Sequence, residues 1–151
     1  MTRSEQADPD TEATLDVIRR SFELFNAGDA ETLLAEMFDP DVRYSADAEI
    51  SALVGSPIEI RGVDAVREMW TAFFEMFDEV RLTEIEFAAA SPGQAVGSAH
   101  MVTRGGASET PVDAPFYFAF AVRGRRLAFM AAKLDRDATL AALEDHLAER
   151  P

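Results

Sequence analysis

Apolar side chains recur along this chain with two different periods, and the change of period divides it. Over the first half the spacing is three and four. Leu15, Ile18, Phe22 and Phe25 share one face of a helix that begins near residue 12. Asn26-Ala27-Gly28 stops it, because glycine tolerates the left-handed backbone that a helix end requires. Asp29 is placed to cap a short second helix carrying Leu33, Leu34, Met37 and Phe38, and Pro40 to break it. Val42, Tyr44 and Ala46 alternate with Arg43, Ser45 and Asp47, the pattern of a half-buried strand. A looser stretch with Gly55 and Pro57 precedes a short strand at Ile58-Glu59-Ile60. Gly62 and Asp64 then open a third helix whose stripe is Val66, Trp70, Phe73 and Phe77.

Beyond this point the period is two. Strands are expected near 80–89, 94–104, 114–123 and 126–134. Ser91-Pro92-Gly93 and Arg123-Gly124-Arg125 are the hairpin turns of the first and last pairs. Leu140, Leu143 and Leu147 mark a closing helix. No repeat or linker interrupts the order, so the expectation is a loose acidic tail over 1–11 and one domain over 12–151. The predicted class is α+β: a curved antiparallel sheet with helices packed over its concave face, leaving a cone-shaped cavity.

Composition narrows the partners. At 48% hydrophobic, the 151 residues suffice for one packed core. The absence of cysteine removes disulfides, thiolate metal sites and a thiol nucleophile. A net charge of −14 argues against nucleic acid or an anionic membrane as partner. The N-terminus lacks a signal peptide's apolar core and no run is long enough to span a membrane, so a cytoplasmic location is the default expectation. Thirteen of the fourteen basic residues are arginine and only Lys133 is lysine, a bias that fits a GC-rich bacterial genome. Two distant histidines form no metal pattern, and Gly105-Gly106 lacks the helix or lysine of a phosphate loop, so neither metal nor cofactor is expected.

Phe25-Asn26-Ala27-Gly28-Asp29, Phe38-Asp39-Pro40-Asp41-Val42 and Arg61-Gly62-Val63-Asp64-Ala65-Val66-Arg67-Glu68 resemble, in order, the signatures of SnoaL-like domains. These belong to the nuclear-transport-factor-2-like superfamily. Val112-Asp113-Ala114-Pro115-Phe116 and Leu134-Asp135-Arg136 are similar too, and the resemblance spans about residues 12–145. It implies the cone-shaped pocket and a homodimer through the sheet's outer face. It does not imply one activity, since ketosteroid isomerases, polyketide cyclases and epoxide hydrolases share the fold.

The catalytic positions of those relatives can be followed onto this chain. An isomerase's tyrosine, base and protonated aspartate fall on Ser21, Ala46 and near Phe116. An epoxide hydrolase's Asp-Arg-Asp set falls near Ala99, Met101 and Ala132, while Arg104, Asp113 and Asp135 read as strand-end residues. A cyclase needs one acid or base in an apolar pocket; the weak candidates are Asp47, His100 and Tyr44. By strand parity His100 lies on the outer face with Val96, Ser98 and Val102, and Asp47 turns inward only at a bulge. His146, in the last helical turn, suits the helix dipole.

Parity also gives a pocket lining of Tyr44, Trp70, Met101, Phe116, Phe118 and Met130, with Tyr44 as the polar handle. The leading expectation is a protein that binds a small apolar molecule, steroid-, polyketide- or terpenoid-like, without the relatives' standard catalytic residues. One alternative is an isomerase or cyclase with a non-standard acid or base. Another is a non-catalytic interaction domain that dimerises through an outer face carrying Tyr117, Phe129 and Lys133 among alanines.

Overall fold

The structure, a computed structural model, describes residues 9–106 and 112–149. The first eight residues of the expected tail, and part of the connection after Gly105-Gly106, lie outside them. Helix α1 (Pro9–Asn26) buries Leu15, Ile18 and Phe22. It stops as its sequence predicts, with Gly28 at φ 76° and the Asp29 N–H returning 2.9 Å to the carbonyl of Leu24. Asp29 caps the short α2 (Ala30–Thr32) by accepting from the Thr32 N–H, and α2 widens into a π-helical turn at Leu33–Met37. The remaining elements are β1 (Phe38–Ala46), α3 (Ala48–Val54), β2 (Glu59–Arg61), α4 (Val63–Phe74), β3 (Glu79–Ser91), β4 (Gln94–Arg104), β5 (Asp113–Arg123), β6 (Arg126–Lys133) and α5 (Arg136–Glu149).

The six strands form one sheet in the order β2-β1-β6-β5-β4-β3. All neighbours are antiparallel except β1 and β6, which run parallel. Period two holds as expected. Phe116, Phe118 and Phe120 share the inner face of β5, and Met130 and Ala132 oppose Phe120 and Phe118 from β6. Against this face pack α1 and α4, the latter through Val66, Met69, Trp70 and Phe73.

Three features depart from the sequence reading. Strand β1 starts at Phe38, not after a helix ending there. Pro40 is tolerated because the β1–β6 register shifts between Phe38 and Arg43, leaving it outside the regular ladder. The stretch after Asp47 is not loose but is α3. And α5 lies on the outer face of the sheet, over Ala119, Ala121, Phe129 and Ala131, with His146 stacked on Phe129 at 4.5 Å between ring centroids. Phe129 and Lys133, expected on an open outer face, are therefore buried within the chain, and the Lys133 ammonium donates to the Ala46 carbonyl at 2.9 Å. Arg43 fastens the last turn of α5 to β1 by pairing with Glu149 at 2.7 Å.

The register of the β3–β4 ladder shifts twice, an irregularity that bends and twists a strand pair. Opposite these shifts stands Gly97, and a methyl there would lie 2.1 Å from the Glu86 carbonyl oxygen and 2.7 Å from the Phe118 ring. Gly97→Ala is expected to destabilise the fold by about 2 kcal/mol through overpacking, read as a lower urea midpoint with unchanged slope. An unchanged midpoint would show that the bend tolerates a side chain.

Candidate functional site

Where the inner faces of β1, β4, β5 and β6 meet α1, α3 and α4, a cavity of about 60 Å³ remains. Its walls are almost wholly apolar, because each contributing strand sends every second residue inward and each helix its apolar stripe. Trp70 of α4 is one of its walls. Edge-to-face contacts join its ring to Phe38 (5.5 Å), Phe25 (5.8 Å), Phe74 (6.1 Å) and Tyr44 (6.3 Å).

Four polar side chains border this space, and three are committed within the protein. Ser21 donates to the Val17 carbonyl at 2.9 Å. The Trp70 indole N–H donates to the Tyr44 hydroxyl at 3.4 Å. Asp47 ends β1 and caps α3: one carboxylate oxygen accepts from the N–H groups of Glu49 and Ile50 at 2.9 and 3.2 Å, the other from Leu134 at 2.7 Å. The Tyr44 hydroxyl differs. Among the described residues it accepts from Trp70 and donates to none, so its proton is free for the cavity. Burial pushes its pKa up to about 12, the Trp70 hydrogen bond opposes this, and the charge of Asp47 adds to it. At neutral pH Tyr44 is a donor, not a base.

Of the residues read from the sequence as lining, Tyr44, Trp70, Met101, Phe116 and Met130 border the cavity. Phe118 does not. Its ring is taken up by Phe22, Phe87 and Phe120 at 5.0, 5.7 and 5.4 Å, which fills the core below the cavity. Asp47 borders the cavity without any bulge, because it sits at a strand-to-helix turn where strand parity no longer applies. His100 is on the outer face of β4, half-buried, with its Nε2 against the carboxylate of Asp113. Ser21, Ala46, Phe116, Met101 and Ala132, onto which the sequence resemblance carried catalytic roles, border the cavity, and Ala99 does not.

Sequence reasoning missed Ile50 and Met69 as walls. Ile50 had a signal: Asp47, an apolar run and Gly55 (φ 72°) form the same cap-and-stop signature that revealed α2. Met69 lay beside Trp70 on a stripe already assigned, and only the rotation of α4 shows that both face inward.

A family model described as SnoaL-like domain matches residues 18–130. No curated protein matches the chain. Among solved structures it is similar to TerC co-crystallised with polyporic acid, at 20% identity and TM-score 0.69, covering 87% of this chain and 96% of that one. An NTF2-like protein of unknown function from Burkholderia pseudomallei K96243 gives 20% identity and TM-score 0.70, over 87% and 95%. A candidate SnoaL-like polyketide cyclase from Jannaschia sp. CCS1 gives 17% identity and TM-score 0.69, over 97% and 99%. At these identities the structures establish the fold alone.

Proposed function

The chain belongs to the SnoaL-like domain family, and from that premise we propose that its cavity binds a neutral, apolar small molecule through a carbonyl oxygen. The observation that carries this is the Tyr44 hydroxyl, whose proton has no protein acceptor among the described residues, while the walls around it are almost wholly apolar and their other polar groups are already hydrogen-bonded. A carbonyl accepts that proton without bringing charge into the cavity. A carboxylate ligand is disfavoured, since among the described residues no cation borders the space and Asp47 does. Steroid-, polyketide- and terpenoid-type ketones fit this description, and that a solved relative was crystallised with polyporic acid supports a small-molecule partner.

Binding without turnover is the reading the geometry favours, because Ser21 and Asp47 are already occupied by backbone groups. Asp47 nonetheless borders the same cavity as Tyr44, which keeps an acid–base enzyme as the second reading. A turnover assay on any ketone that binds separates the two, with product formation favouring the enzyme. For a homodimer the surface we propose is the half-buried outer strip of β4 with Tyr117, since α5 covers Phe129. Among the described residues no helix is long and apolar enough to cross a membrane.

The test is a thermal-shift screen of neutral ketones of these three classes against the native protein and Tyr44→Phe. A bound ketone raises the melting temperature by mass action, and Tyr44→Phe is expected to weaken binding about tenfold. The same variant has a pH signature. A phenol whose pKa is raised on folding contributes stability that is complete below pH 10 and lost as the pH climbs through 12. Tyr44→Phe lacks that alkaline loss. Ketones that bind Tyr44→Phe as well as the native protein would remove Tyr44 from the site.

A further inference from the structure

The cavity's space of about 60 Å³ accommodates a headgroup, whereas sites for drug-sized ligands occupy roughly 300–1,000 Å³. Two grooves adjoin it. One, of about 390 Å³, shares Phe25 and Phe74 with the cavity. Those rings are locked together with Trp70, at 5.6 and 5.8 Å from Phe25, so opening that side breaks several aromatic contacts at once. The other groove runs between α4 and the segment from the end of α3 through β2, measures about 440 Å³, and meets the cavity at Met69, which lines both. Met69 takes part in none of the ring contacts described, and an unbranched thioether changes rotamer at little cost.

The wall on this side is also lightly buried. Ser51 is the only fully buried residue of α3, and the helix is pinned by the Asp47 cap and by a long Ser51 hydroxyl contact to the Pro57 carbonyl, 3.4 Å. The two large apolar side chains left exposed among the described residues are Leu53 and Ile58. Each is adjacent in sequence to groove residues, Val54 for one and Pro57 for the other.

We propose that the α3–α4 groove is a second part of the same binding site. It takes the apolar tail of an elongated, neutral carbonyl compound whose head reaches Tyr44 past a displaced Met69. The proposal rests on the reading of the cavity given above and adds the length and the direction of the ligand. Val54, Ile60, Ala65 and Ala72 supply apolar walls for the tail, and the charged residues there, Glu59 and Glu68 against Arg61, leave a net negative rim that does not favour an anionic one.

Two solvatochromic ketone dyes that differ only in acyl length, prodan (propionyl) and laurdan (lauroyl), test this by fluorescence titration of the full chain. The native protein is expected to bind laurdan at least about tenfold more tightly than prodan, because methylenes beyond the head are buried in the groove. Ala65→Trp fills the groove and is expected to bring the two affinities together while sparing prodan. Ser56→Asp, at a loop position outside the core, should do the same by placing a charge beside the tail. Tyr44→Phe should weaken both dyes alike and keep their ratio. A laurdan preference that survives both Ala65→Trp and Ser56→Asp overturns the groove proposal and leaves the cavity reading intact. Prodan binding unaffected by Tyr44→Phe overturns the cavity reading, and if neither dye binds the native protein both fall.

Discussion

Trp70→Ala is expected to cost about 4 kcal/mol of folding stability and to lower the melting temperature by about 12 °C. The size follows from the position. Trp70 is 5% exposed, its ring meets four others edge-to-face, and its N–H is satisfied by Tyr44. Removing it leaves a void that four surrounding rings, held by their own neighbours, fill only in part. Because Trp70 is the chain's one tryptophan, the variant loses its fluorescence and must be followed by circular dichroism. Trp70→Phe should recover roughly half of the loss. If Trp70→Ala unfolds within about 1 kcal/mol of the native protein, the ring cluster is not the centre of the core.

The second large effect is at Asp47. Asp47→Ala is expected to cost about 3 kcal/mol, the sum of a lost helix cap and a part-buried Leu134 N–H left without its acceptor. Hydrogen exchange gives the sharper signature, since the amides of Glu49, Ile50 and Leu134 should all lose protection while those of α4 keep theirs. This distinguishes a residue that holds a wall of the cavity from one that works inside it. Were the carboxylate a base with no structural duty, protection of these amides would not change.

The periods in the sequence gave access to most of this molecule. The strands of the second half were legible because each places small or large apolar residues at every second position, from Ala95 to Ala132, and one face of those strands does make the core. The stripe of α4 was legible for the same reason. What escaped was decided between elements. Whether α5 lies on the inner or the outer face depends on Phe129 and alanines whose parity points outward, yet an outward apolar strip reads equally as a dimer face. Phe118 has the parity of a lining residue, but Phe22 and Phe87 reach it first. Asp47 was assigned by strand parity one residue after the strand had ended. The cavity's polar handle was found because Tyr44 is the only inward polar residue within β1. Its freedom to donate depends on an indole 26 positions away, which no local pattern contains.

One contact on the rim of the sheet covers part of an exposed strand edge. Strand β3 is an outer edge, thirteen residues long, and such a row of unpaired amides is a template for another chain. The Asn26 side chain occupies it. Its amide donates to the Leu82 carbonyl at 2.8 Å and accepts from the Leu82 N–H at 2.9 Å, the pair of bonds a neighbouring strand would make. With the register shifts beyond it and only three residues in β2 at the opposite edge, the sheet offers no straight border for continuation. A single carboxamide thus blocks continuation of the sheet at Leu82, where a second chain would have to displace Asn26 to pair.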